Sequence, residues 1–279
     1  MVGFAKGHGT RNDFVLLSDP DDTVGLTDGA VRFLCDRRGG IGGDGVLRAV
    51  RGRHIDGWTG DPEVWFMDYR NADGSVAEMC GNGLRVFARY LVEEGLVPAG
   101  TTSIPIGTRA GPRDAELLRD GRVRVWMGRP QLGDTSSPIR IDLRRWMADP
   151  VWVGNPHAVV ILDRRDRLDQ LDLSRPPVFE AEHFPQGVNI EFVEIVGERH
   201  VRMRVHERGV GETESCGTGT VAVAVATAYH EALEKQQTTW RIDVPGGTVE
   251  VTLRGRQAWL TGPAEIVARG EIAWPKEAE

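Results

Sequence analysis

Two segments open in the same way at matching points of this chain's two halves, Glu78-Met79-Cys80-Gly81-Asn82-Gly83 and Glu214-Ser215-Cys216-Gly217-Thr218-Gly219. Each leads into a mostly apolar run able to form a helix, residues 84–92 and 220–229. Such helices must be covered on most of their surface, which leaves few ways to fold the remainder. The start of a helix carries unpaired N–H groups and the positive end of the macrodipole, so it favours a thiolate on the cysteine and can hold a ligand carboxylate. Glycine lets that backbone come close to a ligand. A lone cysteine in such a turn is as readily a small buried hydrophobe. The second copy in register argues for one active site with two thiols.

The repetition runs further. Asn71 precedes Cys80 by the interval that separates Glu207 from Cys216, and Met67 and Met203 correspond. Residues 65–69 and 201–205 read as strands leading in, rich in β-favouring side chains. After each helix comes a proline-glycine segment read as a turn, Pro105-Ile106-Gly107-Thr108 and Pro245-Gly246-Gly247-Thr248, then a hairpin ending near Trp126 or Trp259. Upstream, residues 12–17 echo residues 155–161. Matched landmarks in one order predict a duplicated half-chain unit. The expected fold is α+β, with two pseudo-symmetric domains, each a curved, mostly antiparallel sheet or barrel wrapped around a central helix. The expected domains are residues 1–125 and 126–279, with the last strand free to cross back to the first. The active site is expected in the interdomain cleft, the two helix N-termini facing one ligand.

Composition narrows the function. At 279 residues, each half can bury its own core. A net charge of −7 gives no electrostatic footprint for nucleic acid. The N-terminal residues lack a charged-then-apolar signal and no run reaches the length of a bilayer span, so a cytoplasmic protein with no membrane partner is expected. The third cysteine, Cys35, lies in an expected amphipathic helix over residues 31–37 and reads as a packing residue. Odd count and wide spacing argue against a disulfide framework and against structural zinc, and no metal is expected. The only lysines are Lys6, Lys235 and Lys276, none in a pyridoxal phosphate motif, and no cofactor is expected.

Two thiols on opposite faces of a carbon acid suit inversion at a stereogenic carbon: one thiolate removes the proton and the opposing thiol delivers another. Cysteine can be tuned toward neutral pH by a helix terminus or a charged neighbour, and Glu207, His157 and Arg208 are candidate tuners near the second motif. Helix N–H groups can hold the substrate carboxylate beside the developing carbanion.

The chain resembles the diaminopimelate epimerases, cofactor-independent enzymes that interconvert LL- and meso-diaminopimelate. The resemblance rests on Gly7-His8-Gly9 with residues 12–15, residues 38–45, Asn71-Ala72-Asp73-Gly74-Ser75, residues 79–83, Gly154-Asn155-Pro156-His157, Val188-Asn189-Ile190-Glu191, His206-Glu207-Arg208-Gly209 and residues 212–219. It implies that Cys80 and Cys216 are the paired acid and base, exchanging roles with direction. It implies that Asn12, Asn71, Asn155 and Asn189, with Glu207 and Arg208, bind the substrate's ammonium and carboxylate groups. Gly81, Asn82, Gly217 and Thr218 would supply donors at the reacting end, and His157 and Glu207 would adjust the thiols. It further implies a homodimer acting on a small molecule in lysine and cell-wall precursor supply. Departures lie in loops: Thr10-Arg11 stand where many relatives have leucine-glycine, Gly43 where alanine is common, and Gly45 where some relatives carry a polar side chain.

Competing readings are a proline racemase-like enzyme of the same architecture, a cysteine hydrolase using Cys80 with His157 and Asn189, and a non-catalytic binding module. The hydrolase would make Cys216 dispensable, and the binding module would leave two matched helix-capping thiols without purpose.

Overall fold

The computed structural model describes residues 1–233 and 236–274, so Lys235 and Lys276 lie outside the described residues. It divides into two compact units, Met1–Val125 with Gly262–Glu279, and Trp126–Thr261. The fold is mixed α+β and dominated by strands.

In the first unit, β1 (Val2–Gly9), β2 (Asn12–Ser18), β3 (Gly45–Arg51), β4 (Trp65–Asn71), β5 (Ser103–Gly107), β6 (Arg113–Leu117) and β7 (Val123–Gly128) pair in chain order. The β2–β3 and β4–β5 junctions are parallel and the others antiparallel. A C-terminal strand, Glu265–Ile272, returns to pair antiparallel with β1. Two helices cover this sheet. α1 (Asp28–Cys35) is capped by Thr27, whose hydroxyl accepts from the Ala30 N–H, and Asp28 sits favourably in its first turn. It packs Val31, Leu34 and Cys35 on Val15, Leu17 and Val46. Alternation along β2 turns Phe14 the other way, toward α2 (Gly81–Glu93), which touches β1, β2, β3, β4, β6 and the C-terminal strand. That wrapping removes Leu84, Val86, Phe87, Ala88 and Leu91 from solvent. Each large aliphatic or aromatic side chain so buried contributes about 1.5–3 kcal/mol of transfer free energy.

The second unit contains β8 (Gln131–Leu132), β9 (Ser137–Ile141), β10 (Arg144–Trp152), β11 (Pro156–Ile161), β12 (Val178–Phe179), β13 (Asn189–Gly197), β14 (His200–Glu207), β15 (Gly211–Thr213), β16 (Thr238–Val244), β17 (Gly247–Arg254) and β18 (Gln257–Gly262). Its main order is β10–β11–β13–β14–β16–β17–β18, with parallel junctions at β11–β13 and β14–β16. This repeats the senses of the six junctions from β1 to β7. α3 (Gly217–His230) packs on β10, β11, β13, β16 and β17. Its first twelve residues are buried except Val225, as expected for a helix that is apolar all round. On the far side of β11 and β13, Ala158, Val160, Ile190 and Phe192 join a separate core with Ile139, Leu168, Leu171 and Phe184.

Three local expectations change. Residues 105–107 are not a turn: Pro105 lies in β5 opposite Asp114, just before β5 begins its pairing with β4 at Ile106, so its missing N–H interrupts no bond on that side. The second segment does turn, Val244 facing Gly247 across Pro245-Gly246. The helix expected over 31–37 starts earlier, at its Thr27 cap, and ends at Cys35 because Asp36 is extended. Asp134-Thr135-Ser136-Ser137-Pro138, which in the sequence resembles a loop, gives way to β9 from Ser137, paired with both β10 and β12.

Candidate active site

In the first unit the site is built at the start of α2. Cys80 is the N-cap residue, extended at φ −137°, so its sulfur turns back over the first turn and accepts from the Gly83 N–H at 3.4 Å. Its Sγ also lies 3.6 Å from Asn12 Oδ1, to which the thiol can donate. One sulfur therefore has a donor for its ionised form and an acceptor for its protonated form. Asn12 begins β2, and its amide is oriented by Asp44, whose Oδ2 accepts from Asn12 Nδ2 at 2.7 Å. That leaves Oδ1 for Cys80 and for Asn82 Nδ2 at 3.3 Å. Asn71 ends β4 opposite Gly45 and spends its side-chain amide on Ser75 Oγ at 3.0 Å. Gly81 and Asn82 are buried in the first turn. Gly45 has no room for a side chain: a Cβ would lie 2.5 Å from Arg70 O and 2.7 Å from the Tyr69 ring.

In the second unit Cys216 caps α3, with Thr218 Oγ1 at 3.5 Å and no side-chain capping bond. Strand parity brings the rest together. β11 and β13 are parallel with His157 beside Asn189 and Val159 beside Glu191, so His157 and Glu191 share the face under α3. His157 Nδ1 lies 2.7 Å from Glu191 Oε1, and its Nε2 lies 3.0 Å from Asn155 Oδ1. Both His157 and Glu191 are fully buried. Glu207, at the end of β14, accepts from the Thr213 hydroxyl. Asn189 Oδ1 accepts from the Arg208 N–H at 2.9 Å, and Arg208 Nη1 donates to Gln186 O at 2.8 Å.

Electrostatics here favour protons. Burial pushes the Cys216 thiol well above its ordinary range, and the negative Glu207 and Glu191 push it further, while the Thr218 hydroxyl and Gly219 N–H pull it back. Burial likewise raises the Glu207 carboxyl, opposed by the Thr213 hydroxyl and reinforced by Glu191. Among the described residues no cluster of three metal-ligating side chains occurs. Nor is any helix long and apolar enough to cross a membrane.

Asn12, Cys80 and Asn82 are thus joined directly in the first unit, with Asn71 linked through the Asp44–Gly45 segment. Cys216, His157, Asn155, Glu207 and Thr218 gather in the second, Asn189 and Arg208 forming an adjacent pair. Motif reading misses Glu191 and Asp44 as working residues. The available signal is a carboxylate between Ile190 and Phe192, inside an apolar strand.

The fold recurs in solved structures described as racemases, epimerases and phenazine biosynthesis proteins. A probable proline racemase from Agrobacterium radiobacter superposes with a TM-score of 0.69 at 20% identity, covering 99% of this chain and 94% of that one. The family described as Diaminopimelate epimerase matches residues 4–133 and 151–267. Among curated relatives, the diaminopimelate epimerase of Streptomyces coelicolor is 49% identical over 98% of this chain and 96% of its own. That of Corynebacterium glutamicum is 47% identical over 97% and 98%. The chain belongs to the diaminopimelate epimerase family.

Proposed function

We propose that this protein interconverts LL-2,6-diaminopimelate and meso-diaminopimelate by proton transfer between Cys80, Cys216 and one α-carbon, with no metal or organic cofactor. The observation that carries the reading is that each cysteine stands at the N-cap of an apolar helix, with polar partners suited to a sulfur that changes protonation state. Family membership supports the substrate. One thiolate abstracts the α-proton, the other thiol protonates the opposite face, and configuration inverts. Removing such a proton leaves charge beside a carboxylate, and the N–H groups at Gly81, Asn82, Gly217 and Thr218 are suited to hold that carboxylate. The raised Cys216 thiol supports its role as the resting acid, with Cys80 as the resting base. Asn12, Asn71, Asn155, Asn189, Glu207 and Arg208 would hold the ammonium and carboxylate groups, Arg208 with a two-pronged fork. His157 and Glu207 would tune the second thiol.

The same reading includes origin by duplication of a half-chain unit, a homodimer, and a cytoplasmic role in lysine and cell-wall precursor supply. Sedimentation as a monomer at working concentrations would remove the dimer from it.

The test is turnover in heavy water followed by chiral chromatography, with proline and monoamino acids as comparison substrates. Wild type should invert diaminopimelate and incorporate deuterium at the α-carbon. Cys216→Ala should lose inversion by about 10²-fold or more, the usual loss on removing a general acid or base. Full turnover by Cys216→Ala would refute the two-thiol scheme, and preferential turnover of proline would refute the substrate.

A further inference from the structure

α2 carries a charge that its packing does not explain. Arg85 is fully buried at 0% exposure, and among the described residues its guanidinium hydrogen-bonds to neutral oxygen atoms. Nε donates to Pro263 O at 3.3 Å, Nη1 to Gly81 O at 3.5 Å and Nη2 to Thr10 Oγ1 at 3.4 Å. No carboxylate bears on it among the described residues. A buried cation without an opposite charge is among the most expensive burials a fold can make. The location adds to the cost. Side chains on a helix lean toward its N-terminus, so Arg85 lies back over the first turn, as its contact with Gly81 O shows, where the macrodipole already repels a cation.

We propose that Arg85 is the buried counter-charge of the Cys80 thiolate and so a positioning residue for proton transfer. The inference rests on the reading of Cys80 as an acid–base thiol. Cys80 caps the turn that Arg85 overlies, and guanidinium stays charged under conditions that neutralise a buried ammonium. Burial draws the Arg85 guanidinium down only to about 10, opposed by Cys80, so it remains a cation at neutral pH. The other basic side chains facing this region have partners of their own, while Asp114 and Glu271 lie on β6 and the C-terminal strand. Lys6 pairs with Asp13, His8 with Glu265, and Arg48, Arg70 and Arg109 with Asp68. Arg89 and Arg269 pair with Glu93, and Arg113 donates to Pro112 O. The same guanidinium also ties down the turn before Asn12 through Thr10, so its charge and its clamping must be tested apart.

The experiment uses the full chain with Cys35→Ala and Cys216→Ala, leaving Cys80 as the only thiol, and reads the pH dependence of its alkylation by iodoacetamide. With Arg85 intact the midpoint should fall below an ordinary thiol's, about 8.5. A midpoint at or above that value overturns the proposal, a readout that needs no further variant to fold. Arg85→Met should raise the midpoint by about one pH unit or more, and Arg85→Lys, whose buried ammonium is more easily neutralised, should restore only part of it. Thr10→Val, which removes the clamp and keeps the charge, should leave the midpoint in place. An unchanged midpoint in Arg85→Met, or an equal shift in Thr10→Val, overturns the proposal. Thiol titration needs no substrate. A depressed midpoint with no diaminopimelate turnover would therefore sink the proposed function and leave this inference standing.

Discussion

At Cys216 one neighbour stands in a motif, residues 188–191, without a role that the motif assigns. Glu191 is fully buried with one oxygen on His157 and the other, Oε2, without a hydrogen-bond partner among the described residues. Its negative charge is one cause of the raised Cys216 thiol, after burial and Glu207. Glu191→Gln keeps the shape and removes the charge. The Cys216 alkylation midpoint, read in a background without Cys35 and Cys80, should fall by about one pH unit. A midpoint that rises would show that Glu191 does not repel the thiolate. Linkage gives a second expectation. A thiol held protonated in the folded state stabilises the fold fully below its unfolded value, about 8.5, and that contribution is lost as pH rises above it. Wild type should therefore lose stability above about pH 8.5 more steeply than Cys216→Ala, by up to about 1.4 kcal/mol per pH unit, in urea melts across that range. Equal slopes would contradict the raised thiol. The cysteines, asparagines, His157 and Glu207 are legible because each stands in a short motif. Glu191 and Asp44 stand in such motifs too, but their roles, like that of Arg85, rest on the partners His157, Asn12 and Pro263, which are distant in sequence and joined only by strand register or helix packing.

The two cysteine helices look alike in sequence, yet their first turns are packed differently. A Cβ on Gly83 would meet Cys80, Leu47 and Phe14 at 3.4–3.5 Å, ordinary contact distances. A Cβ on Gly219 would lie 2.6 Å from Glu191 Oε1 and 3.3 Å from Cys216 Cβ. Gly83→Ala should leave stability within about 1 kcal/mol of wild type, because alanine also lowers the entropy of the unfolded chain. Gly219→Ala must displace the Glu191 carboxylate and should cost about 1–3 kcal/mol. Urea unfolding of both variants checks the contrast, and equal costs would show that the Glu191 contact is not tight. Elements with a periodic signal are readable on this scale: both long helices and the strands leading into them. The failures have local causes. Pro105 has the look of a turn residue but occupies a strand position whose N–H is not needed by β4, and β9 is hidden by Pro138. The β1–β2 connection carries more than loop detail. Thr10 and Arg11 adopt positive φ, 52° and 63°, which costs a β-branched residue about 1–2 kcal/mol, and the Thr10 hydroxyl offsets part of this by accepting from Arg85.

The chain as a whole does not divide at one point, because its last strand belongs with its first. Glu265–Ile272 pairs along β1 from Val2 to His8 and touches α2, while Ile272 and Trp274 pack on the core under α1. Sequence periodicity locates a strand but carries no statement of which edge it joins, since pairing at such separation depends on register and twist rather than local preference. Ending the chain at Ala264 keeps the Pro263 carbonyl that Arg85 uses and removes only this strand and the residues beyond it. β1 would then present an open row of N–H and C=O groups, and Phe4 would lose its cover, a combination that favours association with another chain. The Arg269 ion pairs with Glu93 and Glu94 are exposed and contribute little, so the loss would come from sheet pairing and apolar burial. The truncated protein should aggregate or bind a hydrophobic dye. Its hydrogen exchange should rise first in β1, β2 and α2, with β11, β13 and α3 retaining protection longer. Uniform loss of protection across all six elements would show that the strand stabilises the whole chain rather than the unit it closes.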